Sequence, residues 1–142
     1  MDVNNIKAYT LSASLSATEL FEALDNTNIN EYKWDSQKQS RYIETVLTHS
    51  IMGTIVIRRH QDGSLTVVDG KERINAVRSF INGNLKITNP IFFKELDNKA
   101  AGDMPPRVKR QVKSNFGHIN VEEILSTVSD DDAEKFAQML YF

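Results

Sequence analysis

The sequence contains no cysteine. That absence excludes disulfide frameworks, thiolate zinc sites, iron–sulfur clusters and cysteine nucleophiles. Proline (3) and glycine (6) are scarce, and no internal repeat, low-complexity tract or flexible linker interrupts the chain. No uninterrupted apolar stretch is long enough to cross a bilayer, and Met1-Asp2-Val3-Asn4-Asn5 lacks the basic-then-apolar pattern of a secretory leader. A soluble, cytoplasmic protein without membrane contact is expected. Neither sign of charge dominates: 17 basic against 19 acidic residues give −2, so global charge does not draw the chain to nucleic acid, and only a local patch could.

What is present is a globular mixture, with 40% hydrophobic and 25% charged residues among 142. That length suits one domain over residues 1–142. Ser16-Ala17-Thr18-Glu19 has capping-box spacing ahead of Leu20, Phe21 and Leu24, which predicts a short first helix. Asp35-Ser36 starts a second, predicted over 37–48, with Tyr42, Ile43, Val46 and Leu47 on one face. The period then changes. Thr54-Ile55-Val56-Ile57-Arg58-Arg59, the Asp62-Gly63 turn and Leu65-Thr66-Val67-Val68 predict a β-hairpin. Ile74, Val77, Phe80 and Ile81 then follow Gly70 at helical spacing and stop at Asn82-Gly83. Pro105-Pro106 opens a helix through Val108 and Val112, Ile119-Asn120-Val121 alternates like a strand, and Asp130-Asp131-Asp132 caps a last helix carrying Ala133, Phe136, Ala137 and Leu140.

The chemistry concentrates at Asp69-Gly70-Lys71-Glu72-Arg73. A strand that passes through glycine into a helix leaves backbone N–H groups free, and glycine lets an anion approach them. Arg73 can fork onto phosphate oxygens and Lys71 adds a point charge, while Asp69 and Glu72 can hold Mg²⁺ against a polyphosphate. An ordinary turn is the alternative reading of the same residues. Trp34, the single tryptophan, reads either as an apolar plug or as a base-stacking platform. His49, His60 and His118 have no metal-ligand spacing.

The run Leu65 to Val77 around Asp69-Gly70-Lys71-Glu72-Arg73 resembles the Asp-Gly-Gln-Gln-Arg signature of a domain-of-unknown-function family in the ParB/sulfiredoxin-like superfamily. That family includes the N-terminal domain of GmrSD-type modification-dependent restriction endonucleases. Trp34 to Leu47 is similar to the same family's tryptophan-led helix, and weaker similarity continues through Phe93-Lys94-Glu95-Leu96 and Ile119-Asn120-Val121. The resemblance implies an α+β fold, a small mixed sheet with a β-hairpin packed against several helices. It also implies a nucleoside triphosphate pocket linked to restriction and phage defence. On it, Asp69, Glu72 and Arg73 are the catalytic candidates, Gly70, Lys71, Arg73 and Arg41 bind nucleotide, and Asp69 and Glu72 hold Mg²⁺.

The departures lie inside the signature. Lys71 and Glu72 replace both glutamines, and Ile29-Asn30 stands where the family carries Gln-Arg. The family's HNH nuclease domain has no counterpart within these residues, so nuclease activity is not expected. The resulting expectation is a nucleotide-binding or regulatory domain without efficient turnover. Its alternatives are a slow Mg²⁺-dependent triphosphate hydrolase and a noncatalytic protein- or DNA-binding module of a phage or mobile element. Arg58, Arg59, Arg107, Lys109, Arg110 and Lys113 are the candidates for partner contact. A protein partner is favoured and DNA binding is expected to be weak.

Overall fold

The computed structural model describes residues 3–4, 8–29 and 31–140. Among them a four-stranded sheet takes the order β1 (Thr10–Ala13), β4 (Asn120–Ile124), β2 (Thr54–Arg59), β3 (Leu65–Asp69). The β1·β4 and β2·β3 pairs are antiparallel and β2·β4 is parallel. Five α-helices accompany it: α1 (Ala17–Asp25), α2 (Ser36–Leu47), α3 (Lys71–Ile81), α4 (Pro106–Phe116) and α5 (Asp130–Leu140). The architecture is mixed α+β, and the expected hairpin lies at one edge of the sheet.

The helices start where the sequence supplies caps. Ser16 accepts from the Glu19 N–H while the Glu19 carboxylate accepts from the Ser16 N–H, both at 3.1 Å, and Asp35 accepts from Lys38 N–H at 2.8 Å. The strands divide the core by parity. Ile55 and Ile57 of β2, Val67 and Val121 face a large cluster built with α1 to α4, whereas Val56, Val68 and Ile124 face Val128, Ala133 and Phe136 on the α5 side. Helices therefore cover both faces of the sheet. None among the described residues is long and apolar enough to cross a membrane.

β1 is the element the sequence does not announce. Thr10, Leu11, Ser12 and Ala13 are partly or fully exposed, so an edge strand held by backbone pairing leaves no apolar alternation to read.

The long connection from α3 to α4 is tied down by polar groups of α2. Glu44, only 3% exposed, accepts from the backbone N–H groups of Ile91 at 2.7 Å, of Phe92, and of Phe93 at 3.0 Å. One turn earlier, buried Ser40 accepts from Thr88 N–H at 2.9 Å and donates to Ser36 O at 2.6 Å. Asn115 of α4 in turn donates to Val46 O at 2.9 Å. Removing the Glu44 carboxylate leaves three N–H donors without their acceptor, so Glu44→Ala is expected to cost about 2–4 kcal/mol. Glu44→Gln, which keeps one acceptor oxygen, is expected to cost about half as much. Urea denaturation of the three proteins checks the order; equal midpoints would show that the carboxylate does not hold the connection.

Candidate nucleotide site

β3 reaches the candidate turn through an irregularity. Val56 pairs with Asp69 and Ile57 with Val67, so Val68 is the extra residue of a bulge that re-aims Asp69. Gly70 follows with φ +105° and caps α3 without a side chain. The glycine has two structural causes: its backbone is left-handed, and a Cβ there would lie 2.4 Å from Ile55 Cδ1. The first turn of α3 then projects Lys71, Glu72 and Arg73.

The side chains of that turn have distinct partners. Glu72 accepts from Lys33 N–H at 2.6 Å through Oε1 and from Trp34 N–H at 3.3 Å through Oε2. It clamps the segment leading into α2 onto the start of α3. Arg73 donates to Thr54 O at 3.2 Å, and its guanidinium lies so close to Gly53 that a Cβ there would be 2.9 Å from Cζ. Gly53 is itself left-handed, with φ +85°. Arg73 also acts on Tyr42, whose buried hydroxyl donates to Met52 O at 2.8 Å. Burial pushes the Tyr42 hydroxyl far above its ordinary range, and the neighbouring guanidinium opposes that rise.

Trp34 stands at the centre of this corner. Its ring is 5.8 Å from that of Tyr42, Gln39 donates to its carbonyl at 3.0 Å, and the Lys38 ammonium lies 5.1 Å from its ring centroid. Two hollows adjoin it. One of about 220 Å³ is lined by Trp34, Asp69, Gly70, Lys71, Glu72 and Arg73. The other, about 510 Å³, is lined by Lys33, Trp34, Asp35, Lys38, Lys71 and Glu72. Asp69, Gly70, Lys71, Glu72 and Arg73 thus share one corner with Trp34. Arg41 is exposed on α2 and lines neither hollow. Of Ile29-Asn30, Asn30 lies outside the described residues. Lys33 and Lys38 are the additions the structure makes; Lys38 could have been found from its spacing to Trp34, one helical turn apart.

The remaining candidates lie elsewhere. Arg58 and Arg59, adjacent in sequence, point to opposite faces of β2, where Arg58 pairs with Asp130 and Arg59 with Glu123 at 2.9 Å. The pairing with Arg58 holds the Asp130 carboxyl below its ordinary range. Arg107, Lys109, Arg110 and Lys113 are all exposed on α4. No group of three His, Asp or Glu side chains placed to hold a metal ion occurs among the described residues. Compared with protein families, curated proteins and solved structures, the chain matches none.

The Gly70–Ile55 contact yields a double-mutant test. Gly70→Ala adds left-handed strain and overlap with Ile55 Cδ1, together about 2–4 kcal/mol. Ile55→Val removes Cδ1 at a cost of about 1 kcal/mol alone. The double variant is expected to be more stable than the summed single effects by about 1 kcal/mol. Strictly additive unfolding free energies would show that the overlap does not set the glycine.

Proposed function

We propose that the chain is a nucleotide-binding, regulatory domain related to the ParB/sulfiredoxin-like nucleoside triphosphate domains of restriction and defence systems, and that it works without efficient turnover. The observation that carries the reading is the convergence on Trp34 of Lys33, Lys38, Lys71 and the uncapped turn at Gly70. A base stacked on the exposed part of the indole would leave its phosphates toward Lys71 and the first-turn N–H groups of α3, where backbone donors and helix dipole favour an anion. The three lysines supply the charge that a triphosphate requires.

The same geometry supports binding over hydrolysis. Transfer of a phosphoryl group needs donors and a metal aimed at the γ-phosphate. Glu72 has each oxygen engaged by a backbone N–H group and Arg73 is directed to Thr54 O, which supports a bracing role for both side chains over one at the γ-phosphate. Asp69 is left as the one carboxylate of the signature open to a Mg²⁺–triphosphate.

Since Trp34 is the only tryptophan, its fluorescence reports the site directly. Titration with nucleoside triphosphates is expected to change the emission saturably and to raise Tm, by the equivalent of about 2.7 kcal/mol at a hundredfold excess over Kd. Lys38→Gln/Lys71→Gln is expected to weaken binding about tenfold or more while leaving the Tm of the free protein unchanged. Unaltered emission and Tm with every triphosphate at millimolar levels would overturn the reading.

A further inference from the structure

Most of the arginines that brace this fold are matched by acids. Arg58, Arg59 and Arg78 pair with Asp130, Glu123 and Asp25. α4 is built differently. Arg107, Lys109, Arg110 and Lys113 are exposed, the helix contains no Asp or Glu, and none of the four has an ion-pair partner among the described residues. Its opposite side, Val112, Asn115 and Phe116, is buried, which fixes the basic face outward. Helix stability does not account for this arrangement. Lys109 and Lys113 repel one another at i,i+4, Arg110 repels both Arg107 and Lys113 at i,i+3, and Arg107 and Lys109 occupy the positive end of the helix dipole.

A hollow adjoins this side of the helix. Arg110, Lys113, Ser114 and His118 line a hollow of about 440 Å³ whose far wall is Ser16 and Ala17 at the start of α1. The exposed side of α4 therefore offers guanidinium and ammonium groups with the like charges unrelieved, beside a hollow whose lining is mainly apolar.

We propose that this basic side of α4 binds the phosphodiester backbone of a nucleic-acid duplex without reading its sequence. Cations and hydroxyls are the groups that contact phosphate, and an anionic backbone relieves the repulsion among the four side chains. The occupant follows from what the face does not carry. None of the exposed large apolar side chains among the described residues, from Val3 and Leu11 to Phe92 and Met139, belongs to α4, so the helix itself gives a protein partner charge and no large apolar anchor. Phe116 is fully buried, which leaves no Phe, Tyr or Trp on this face, and the His118 ring beside it is stacked on His49 at 5.7 Å between centroids, so the bases of a single strand find no free aromatic platform. The net charge of −2 does not oppose binding, because salt screens charges beyond about 8 Å under physiological conditions and the local patch dominates.

The test is anisotropy of a short labelled duplex of mixed sequence, as DNA and as RNA, titrated with the full chain across a salt series. Neutralising two to four phosphates predicts a log–log slope of Kd-derived affinity on salt of about −2 to −4. Lys109→Gln/Arg110→Gln/Lys113→Gln, all exposed positions, is expected to keep the parental Tm, lose about tenfold or more in low-salt affinity, and shrink the slope by about 2–3. Lys33→Gln/Lys38→Gln, at the Trp34 corner, is expected to leave the slope unchanged. Binding of either duplex with that loss supports the site, and the duplex preferred identifies its source. The proposal is overturned by no duplex binding at low salt, by an unchanged slope in the α4 variant, by preference for a single strand, or by equal competition from polyglutamate, which would point to an acidic protein.

Discussion

Glu44 is a carboxylate placed inside a helical layer, and the position of that layer depends on what it accepts. β3 runs antiparallel to β2 and β4 lies parallel to β2 on its other flank, so the chain must pass over β2 to get from β3 to β4. Here the crossover runs through α3, a long irregular connection and α4. Two short 3₁₀ turns, Lys94–Leu96 and Ala101–Asp103, are the only helical structure of that connection. Apolar contacts with Leu85, Ile87 and Leu96 bury it but are indifferent to small slides. Hydrogen bonds are not. The three N–H groups on Glu44 and the Thr88 N–H on Ser40 fix the connection against α2, and α4 can then lie against α2 through Asn115 and Val46.

A second carboxylate does the same for the candidate site. Glu72 sits in the first turn of α3, where the helix dipole favours its charge, and it uses that position to hold the N–H groups of Lys33 and Trp34. The tryptophan and the Gly70 turn, far apart in sequence, are thereby made neighbours. A glutamine at this place could accept through its single amide oxygen but not through two, so the glutamate has a structural cause within this fold. Arg73 works in parallel on the other side, spanning Gly53 to reach Thr54 O and so tying the start of β2 to α3. Glu72 and Arg73 therefore brace the corner whose centre is Trp34.

The elements that the sequence makes legible are those whose local chemistry agrees with their tertiary setting. Ser16 and Asp35 are caps, Ile55 and Ile57 alternate, and Asp62-Gly63 turns the hairpin, so α1, α2, β2 and β3 are visible before any packing is considered. β1 escapes because its pairing with β4 is a backbone property. Glu44 escapes for a different reason. It occupies the buried stripe of α2 with Ser40 and Ile43, and a charge in an apolar stripe signals a buried acceptor without naming its donors. Those donors are backbone groups of Ile91, Phe92 and Phe93, which any residues except proline would supply. Side-chain hydropathy gives no clue to this contact: Ile91 and Phe92 are exposed, and their backbone carries it.

Charge shows the same limit most clearly. Arg58-Arg59 and the α4 quartet look alike as basic clusters in one dimension, yet strand parity sends the two arginines to opposite faces, each to a carboxylate. In α4, spacings of three and four residues bring the cations together instead, outside the buried stripe of Val112, Asn115 and Phe116. The period of the element decides whether neighbouring charges disperse or add. A basic pair on a strand is thus split between two faces, each charge with its own carboxylate, whereas the same residues on a helix add into one local field.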